Sequence, residues 1–359
     1  MDASNQWANR PDDERYETLE ALREAVHNRR LRSRSVDVDT SRIVAKQDES
    51  GALVINGTIT PSTPSHWSFG QLATTLKAPA NYLRTLPTPL LVDCLNNGVQ
   101  SADREAVKFM TVEQDSGLNI LQAVTSPTYG RIWDAEAVEC VERINERTGN
   151  KFFNPKAYVH GQVRPSGLYA SDRDVFMFMI DGGSALEVGE RAKLNRGFIV
   201  SNSEVGAKTF SLKTFFFNHV CGNHIIWGAT KINELSIRHT SGAPTRFDCE
   251  AAPALLAYAN ASMKEDETAI TRAVERIVVR DEAKGGAATL DALGEFLNKN
   301  GKFSKAEVRG AWDFAKAEEG DCRTLWQVVQ GLTAYARGFD YMDARVDLET
   351  RAGKLLNLN

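Results

Sequence analysis

Four catalytic signatures are missing from this chain: the GxxxxGKS/T phosphate loop, GxGxxG after a strand, HExxH and GxSxG. Their absence argues against a P-loop nucleotide site, a dinucleotide-binding turn, a zinc-protease helix and a hydrolase nucleophile elbow. Cysteine is scarce. Cys94, Cys140, Cys221, Cys249 and Cys322 are odd in number and widely spaced, with no CxxC pair. That excludes a disulfide framework and a CxxC zinc site, and predicts reduced thiols in a cytoplasm. No apolar run is long enough to span a membrane. The polar, acidic start, MDASNQWANRPDDERYETLE, is not expected to act as a signal peptide. An excess of charge of one sign is also lacking: 43 Lys and Arg against 47 Asp and Glu leave a net charge of -4. Contact with nucleic acid therefore needs a local patch.

What is present is concentrated between Leu194 and Thr240, the densest apolar and aromatic stretch of the 359 residues. Turn-forming residues cut it at short intervals. Strands are predicted from Gly197 to Ser201, Thr209 to Val220, His224 to Gly228 and Ile232 to His239; FSLKTFFFNHV reads equally well as a helix after Gly206. Before it, DVFMFMID puts Phe176, Phe178 and Ile180 on one face and Met177 and Met179 on the other. That is the pattern of a strand covered on both sides, with a turn at Gly182-Gly183. Val107 to Val112 and Leu118 to Thr125 predict a hairpin. A helix is expected from Asp134 to Arg147, stopped by Thr148-Gly149-Asn150.

Residues 1–11 read as disordered. A helix capped by Asp12 or Asp13 is expected to reach about His27, followed by the basic segment HNRRLRSRS. Short strands are expected at Ser35 to Val38 and Leu53 to Ile59. Phe69 to Lys77, a turn at Ala78-Pro79 and a second short helix from Asn81 have the cadence of a helix-turn-helix, with Asn81, Tyr82 and Arg84 projecting and Pro87 ending it. Plain packing explains the same pattern. After about Arg246, Ala, Glu, Leu and Arg dominate; helices are expected near 250–281, 289–299, 304–317, 323–337 and 342–356, with Ser304 and Glu307 as a capping box. The reading is thus α+β: a mainly antiparallel central sheet with flanking helices at 12–245, then a helical region at 246–359.

Candidate site residues divide into three groups. Arg29, Arg30, Arg32 and Arg34 are either a solvated linker or a phosphate-contacting arm; Lys193, Arg196, Lys208 and Lys213 add cations around the sheet. Arg196-Gly197-Phe198 begins like an RNA-recognition strand, but a core Phe explains it too. His219, Cys221 and His224 are all zinc-ligand types, yet an extended chain puts His224 on the other face and no fourth ligand is near. No metal or cofactor is expected. Asp172, Asp174 and Asp181 flank one strand, as an acid cluster or as turn formers.

RGFIVSNSEVGAKTFSL at 196–212 and HVCGNHIIW at 219–227 carry a resemblance to the phage/plasmid-like proteins grouped as domain of unknown function 932. LREAV at 22–26, SPTYGRIWDAEAV at 126–138 and RVDLETRAGKLL at 345–356 support it. The family is commonly less rich in histidine around the CGN turn, so His219 and His224 are not carried over as ligands. The resemblance implies an accessory protein of a mobile element in a bacterial cytoplasm. The partner it suggests is nucleic acid, single-stranded DNA above all, bound without catalysis; aromatic strands, where exposed, would let the chain self-associate. A metal-dependent hydrolase or a host-factor-binding protein is the alternative.

Overall fold

The computed structural model describes residues 12–58, 60–102, 105–154, 156–159, 162–165, 167–188, 192–218, 223–225, 234–261, 264–339 and 342–358. Its larger sheet is antiparallel and runs in the order β1 (Arg15–Tyr16), β11 (Leu168–Ala170), β12 (Val175–Val188), β13 (Ala192–Asn202), β14 (Phe210–Asn218), β15 (Asn223–Ile225). To it are added β8 (Phe152–Phe153) on β12 and β16 (Glu234–Ile237) on β14. FSLKTFFFN is therefore a strand, paired on both sides, and the helical alternative is excluded. The two-residue period sorts its neighbours as expected. Met177, Met179, Phe198 and Val200 enter one core, while Phe176, Phe178, Ile180 and Ile199 enter another on the opposite face. Phe198 is a core residue, edge-on to Phe152 at 4.9 Å between ring centres.

The glycine pair 182–183 does not turn the chain. β12 passes through it, and pairing with β13 shifts register between Ile180 and Ala185. Such an irregularity needs small residues, and a side chain at 182 would stand 3.0 Å from the Phe153 ring.

One face of this sheet is covered by α1 (Leu19–Leu31), α5 (Asp134–Arg147) and α6 (Ala243–Asn260), through Leu22 and Val26, Val138, Val141 and Ile144, and Phe247 and Leu255. The expected start of α1 is corrected. Asp12–Glu14 is a single 3-10 turn, and Thr18 caps the helix by accepting the Ala21 amide. The helix continues to Leu31, so the segment expected as a basic linker is its last turn and the start of β2 (Ser33–Asp39). Arginines at a helix C-terminus lie at the negative end of its dipole, which favours that continuation.

The smaller sheet orders β2, β6 (Ala106–Glu113), β7 (Asn119–Thr125) and β5 (Thr63–Pro64), the last parallel to β7. The hairpin β6–β7 matches expectation. α2 (His66–Thr75), α3 (Ala80–Leu83) and α4 (Thr88–Gln100) pack over this sheet through Phe69, Leu72, Leu83, Leu91 and Leu95. The second helix of the expected helix-turn-helix is one turn long, too short to lie along a groove. α4 was not expected. Pro87 and Pro89 start it rather than end its predecessor, because proline lacks the amide that the first helical turn leaves unused. The hairpin β3 (Val44–Gln47) and β4 (Leu53–Asn56) hangs on α4, where Asn96 bonds both the amide and the carbonyl of Ala45. A second hairpin, β9 (Lys156–Val159) and β10 (Gln162–Pro165), forms a two-stranded sheet of its own.

The helical region holds α7 (Lys264–Glu275), α8 (Leu290–Asn300), α9 (Lys305–Glu318), α10 (Leu325–Ala336) and α11 (Met342–Leu355). The helix expected near 250–281 is in fact two, α6 and α7. The capping box of Ser304 and Glu307 forms as expected, and Thr324 with Gln327 makes another. These helices share a core with Leu186, Leu194 and Phe216 of the large sheet.

Candidate functional site

The candidate cations go to different places. Arg29 leaves α1 toward the core, donates to Asp134 Oδ2 at 2.7 Å and to the Ser171 carbonyl, and lies 3.1 Å from Glu204 Oε1. Arg30 lies on the Trp133 ring at 3.8 Å. Arg32 pairs with Asp115 on the surface, and the exposed Arg34 donates to the carbonyls of Leu31 and Ser33. Arg196 is buried, 3.3 Å from Asp181 Oδ2, and donates to the carbonyls of Ala259 and Ala261 at the end of α6. Lys208 reaches Asp174 at 3.7 Å. Lys213 pairs in register with Glu234. The Lys193 and His224 side chains, and His219 and Cys221 entirely, lie outside the described residues. Among the described residues no group of three His, Cys, Asp or Glu could hold a metal. Asp174 and Asp181 face cations instead. Arg29, Arg196 and Lys208 thus serve buried carboxylates and do not gather into one patch with the rest.

The Arg29 cluster joins the two sheets. Asp134, at the start of α5, is fully buried; it accepts Asn202 Nδ2 at 2.8 Å, and its own amide donates to Glu204 Oε2 at 3.1 Å. Burial and the neighbouring Glu204 push the Asp134 carboxyl well above its usual range, against the pull of Arg29. Burial alone would lower the Arg29 pKa, but Glu204 and Asp134 outweigh it and raise it. Arg131 is buried between the Tyr129 and Trp133 rings and donates to the Glu204 carbonyl. The next carbonyl, that of Val205, receives Trp67 Nε1 at 3.1 Å and Gln71 Nε2 at 2.8 Å from α2.

His239 closes this cluster, stacked on Tyr129 at 4.9 Å with Nδ1 3.1 Å from the Gly130 carbonyl. Burial lowers its pKa; the Gly130 bond opposes the shift and Arg131 adds to it. A depressed folded pKa means that the unfolded chain takes up the proton first. Below about pH 6.5 the His239 contribution to stability is expected to fall with pH. Urea midpoints at about pH 7.5 and 5.5 should drop further in the native chain than in His239→Gln. Equal drops would rule His239 out as the cause.

Beside this cluster lies a cleft of about 690 Å³. One wall is α2 and α3, contributing His66, Trp67, Gly70, Gln71, Thr74, Thr75, Ala80 and Arg84, with Lys77 between the two helices. Val124 of β7 and Arg173, from the turn between β11 and β12, complete it. Among the described residues no carboxylate lines it. Arg84 donates to the His66 carbonyl at 2.9 Å and to Asn81 Oδ1 at 3.3 Å, with its guanidinium 5.0 Å from the Phe69 ring centre. Arg173 is only 8% exposed and lies 5.5 Å from the Trp67 ring centre. Its main chain is fixed by Ser171 Oγ, which accepts its amide at 3.1 Å, and by Ser203 Oγ, which donates to its carbonyl at 2.6 Å. Its Nε has no hydrogen-bond partner among the described residues, and the half-exposed Asp172 carboxylate stands 3.9 Å away. Burial lowers the pKa of both Arg84 and His66; Arg173 lowers each further, and Arg84 also lowers that of His66. For His66 the two arginines add to the effect of burial, and Asp172 opposes it. Lys77 holds a left-handed backbone, φ 54°, a conformation that costs a side-chain-bearing residue about 1–3 kcal/mol.

Sequence reading reached Arg84 through the helix-turn-helix cadence but passed over Arg173, which sits between two singled-out aspartates. Nothing local marks it: its role comes from a turn folded against α2. The described thiols are free, and burial pushes Cys140 up to about 11 and Cys322 up to about 12, so neither is a ready nucleophile. No helix among the described residues is long and apolar enough to cross a membrane. No curated protein and no solved structure matches the chain. The model of the family called domain of unknown function (DUF932) matches residues 123–351, well over half of the sequence and including Arg131, Asp134, Arg173 and Glu204 but not the α2–α3 wall; the chain belongs to that family.

Proposed function

We propose that this protein binds nucleic acid without catalysing a reaction, with single-stranded DNA as its ligand, as an accessory protein of a mobile element. The observation that carries this reading is the cleft where Lys77, Arg84 and Arg173 converge beside Trp67, with no carboxylate among the described wall residues. Phosphates supply the negative charge that such a site lacks, and an aromatic beside cations suits an unpaired base. A duplex offers no such base. The outer cations Arg30, Arg32 and Arg34, like Lys193 and Lys213, are secondary contacts in this reading.

Fluorescence anisotropy with labelled single- and double-stranded DNA tests it. Each phosphate neutralised on a single strand contributes about -0.7 to the slope of log K against log salt. Three cations predict a slope of about -2, a roughly 20-fold loss between about 50 and 200 mM salt. Lys77→Gln with Arg84→Gln should remove most of that slope. Arg32→Gln with Arg34→Gln decides whether the end of α1 contributes. Absence of binding to either DNA at low salt would overturn the reading; binding unaltered by the Lys77 and Arg84 changes would remove the cleft from it.

A further inference from the structure

We infer that the cleft recognises a terminal phosphate monoester, the phosphorylated end of a strand, rather than the diester backbone along its length. The inference rests on the nucleic-acid reading above and narrows it. Volume is the first argument. About 690 Å³ lies within the range of a site for one small ligand, about 300–1,000 Å³. A groove that follows a strand covers roughly 4–16 nucleotides per module. A half-open cleft of this size suits one nucleotide entered from its end.

Charge is the second argument. A diester carries one negative charge, whereas a monoester carries about -1.5 to -2 at neutral pH. Lys77, Arg84 and Arg173 line one cleft and, even with Asp172 3.9 Å from Arg173, supply more positive charge than one diester can neutralise. Arg173 is close enough to Arg84 to oppose its protonation, and both act on His66. A dianion relieves this repulsion; a monoanion relieves it in part.

The third argument is the state of Arg173. A guanidinium on a side chain nine-tenths buried normally has a partner for each donor, because an unmet buried donor costs stability. Here Nε has none among the described residues, and the side chain lines the cleft. Its backbone is pinned from both sides by Ser171 and Ser203, and its guanidinium lies 5.5 Å from the Trp67 ring centre. Planar guanidinium is suited to fork onto two oxygens of one phosphate.

The test compares one DNA oligonucleotide in four forms, with 5′-phosphate, 3′-phosphate, both ends hydroxyl, and 5′-phosphate in a duplex, with inorganic phosphate as competitor. A phosphorylated single strand should bind at least about tenfold more tightly than the hydroxyl form, the difference expected of one added charge-assisted contact. Millimolar inorganic phosphate should erase that difference. Arg84→Gln should bring the two forms level, and Lys77→Gly should do so in part while raising the urea midpoint, since glycine tolerates the left-handed backbone. Gain of stability with loss of end preference is a result that a merely structural lysine would not give. Equal, tight binding of phosphorylated and hydroxyl strands would overturn the inference and leave the nucleic-acid reading standing. Failure of every oligonucleotide to bind would overturn that reading as well. Tighter binding of inorganic phosphate than of any strand end would overturn the strand as the source of the monoester.

Discussion

Replacing Arg29 with alanine is expected to destabilise the folded chain by about 3–5 kcal/mol, far more than the loss of a surface charge. The reason is what the replacement leaves behind. Asp134 is completely buried and Glu204 nearly so, and Arg29 is the cation placed between them, at 2.7 Å and 3.1 Å. Without it two carboxylates face each other away from water, and the carboxyl of Asp134, already held high by burial and by Glu204, goes higher. Urea unfolding at neutral pH measures the loss. A raised folded pKa penalises the ionised form above the unfolded pKa, and protonation removes that penalty. The deficit of the variant should therefore narrow as pH falls toward the carboxyl range. Arg32→Ala is the contrast. Its partner Asp115 is 96% exposed on the side chain, and loss of such a surface pair changes stability by about 0–1 kcal/mol. A loss below about 1 kcal/mol for Arg29→Ala would mean that water reaches the two carboxylates in the variant, and that the cluster is not what joins the sheets.

The consequence reaches the cleft. Ser203, next to Glu204, holds the carbonyl of Arg173, and Val205, on its other side, receives Trp67 and Gln71. Three consecutive residues of the β13–β14 loop thus tie the buried ion pairs to both walls of the cleft. A weakened cluster should loosen Arg173 and α2 together, so Arg29→Ala should also weaken DNA binding without altering any residue in the cleft.

That loop lies in the stretch that carries the family resemblance in sequence. Its importance was legible from the residues; the reason was not. Glu204 meets Arg29 across 175 positions, and Arg173 meets Trp67 across 106, so neither partner is visible from any window of sequence. What periodicity could reach, it reached: the two faces of β12, the β6–β7 hairpin, helix α5 and the capping box at Ser304 depend on residues within a few positions of one another. The errors also share a cause. Gly182-Gly183 and Pro87 are residues that end an element in one setting and allow it in another, and the setting is tertiary: the Phe153 ring over the glycines in one case, the first turn of α4 in the other. The arginines after His27 have a composition that suits a linker equally well; Arg29 meets the buried Asp134 and Glu204 at the end of α1, partners distant in sequence.

Gly331→Ala is expected to destabilise the helical region by about 1–3 kcal/mol, even though alanine is the better helix former by about 1 kcal/mol. The two effects oppose each other, and geometry decides between them. Every residue of α10 except Tyr335 is buried, so the helix has no free side toward which it can shift. A methyl group at 331 would stand 2.2 Å from the carbonyl oxygen of Ala311 and 2.9 Å from the Ala315 methyl, both on α9. The first obstacle is backbone, which cannot rotate away as a side chain could. The contact is reciprocal: Gly310 of α9 lies under the Tyr335 ring of α10, where an added methyl would come within 2.2 Å. The two helices therefore cross at glycines on both sides, and separating them to admit a methyl opens the core around Val328 and Leu332. Gly294→Ala in α8 is the matched control. There the nearest atom is the Val308 methyl at 3.8 Å, an ordinary contact, so helix propensity alone should act and stability should rise by up to about 1 kcal/mol. Opposite signs for the two glycine-to-alanine changes, measured by urea unfolding of the full chain, are the expected result. A gain at Gly331 would mean that α9 and α10 do not cross this closely.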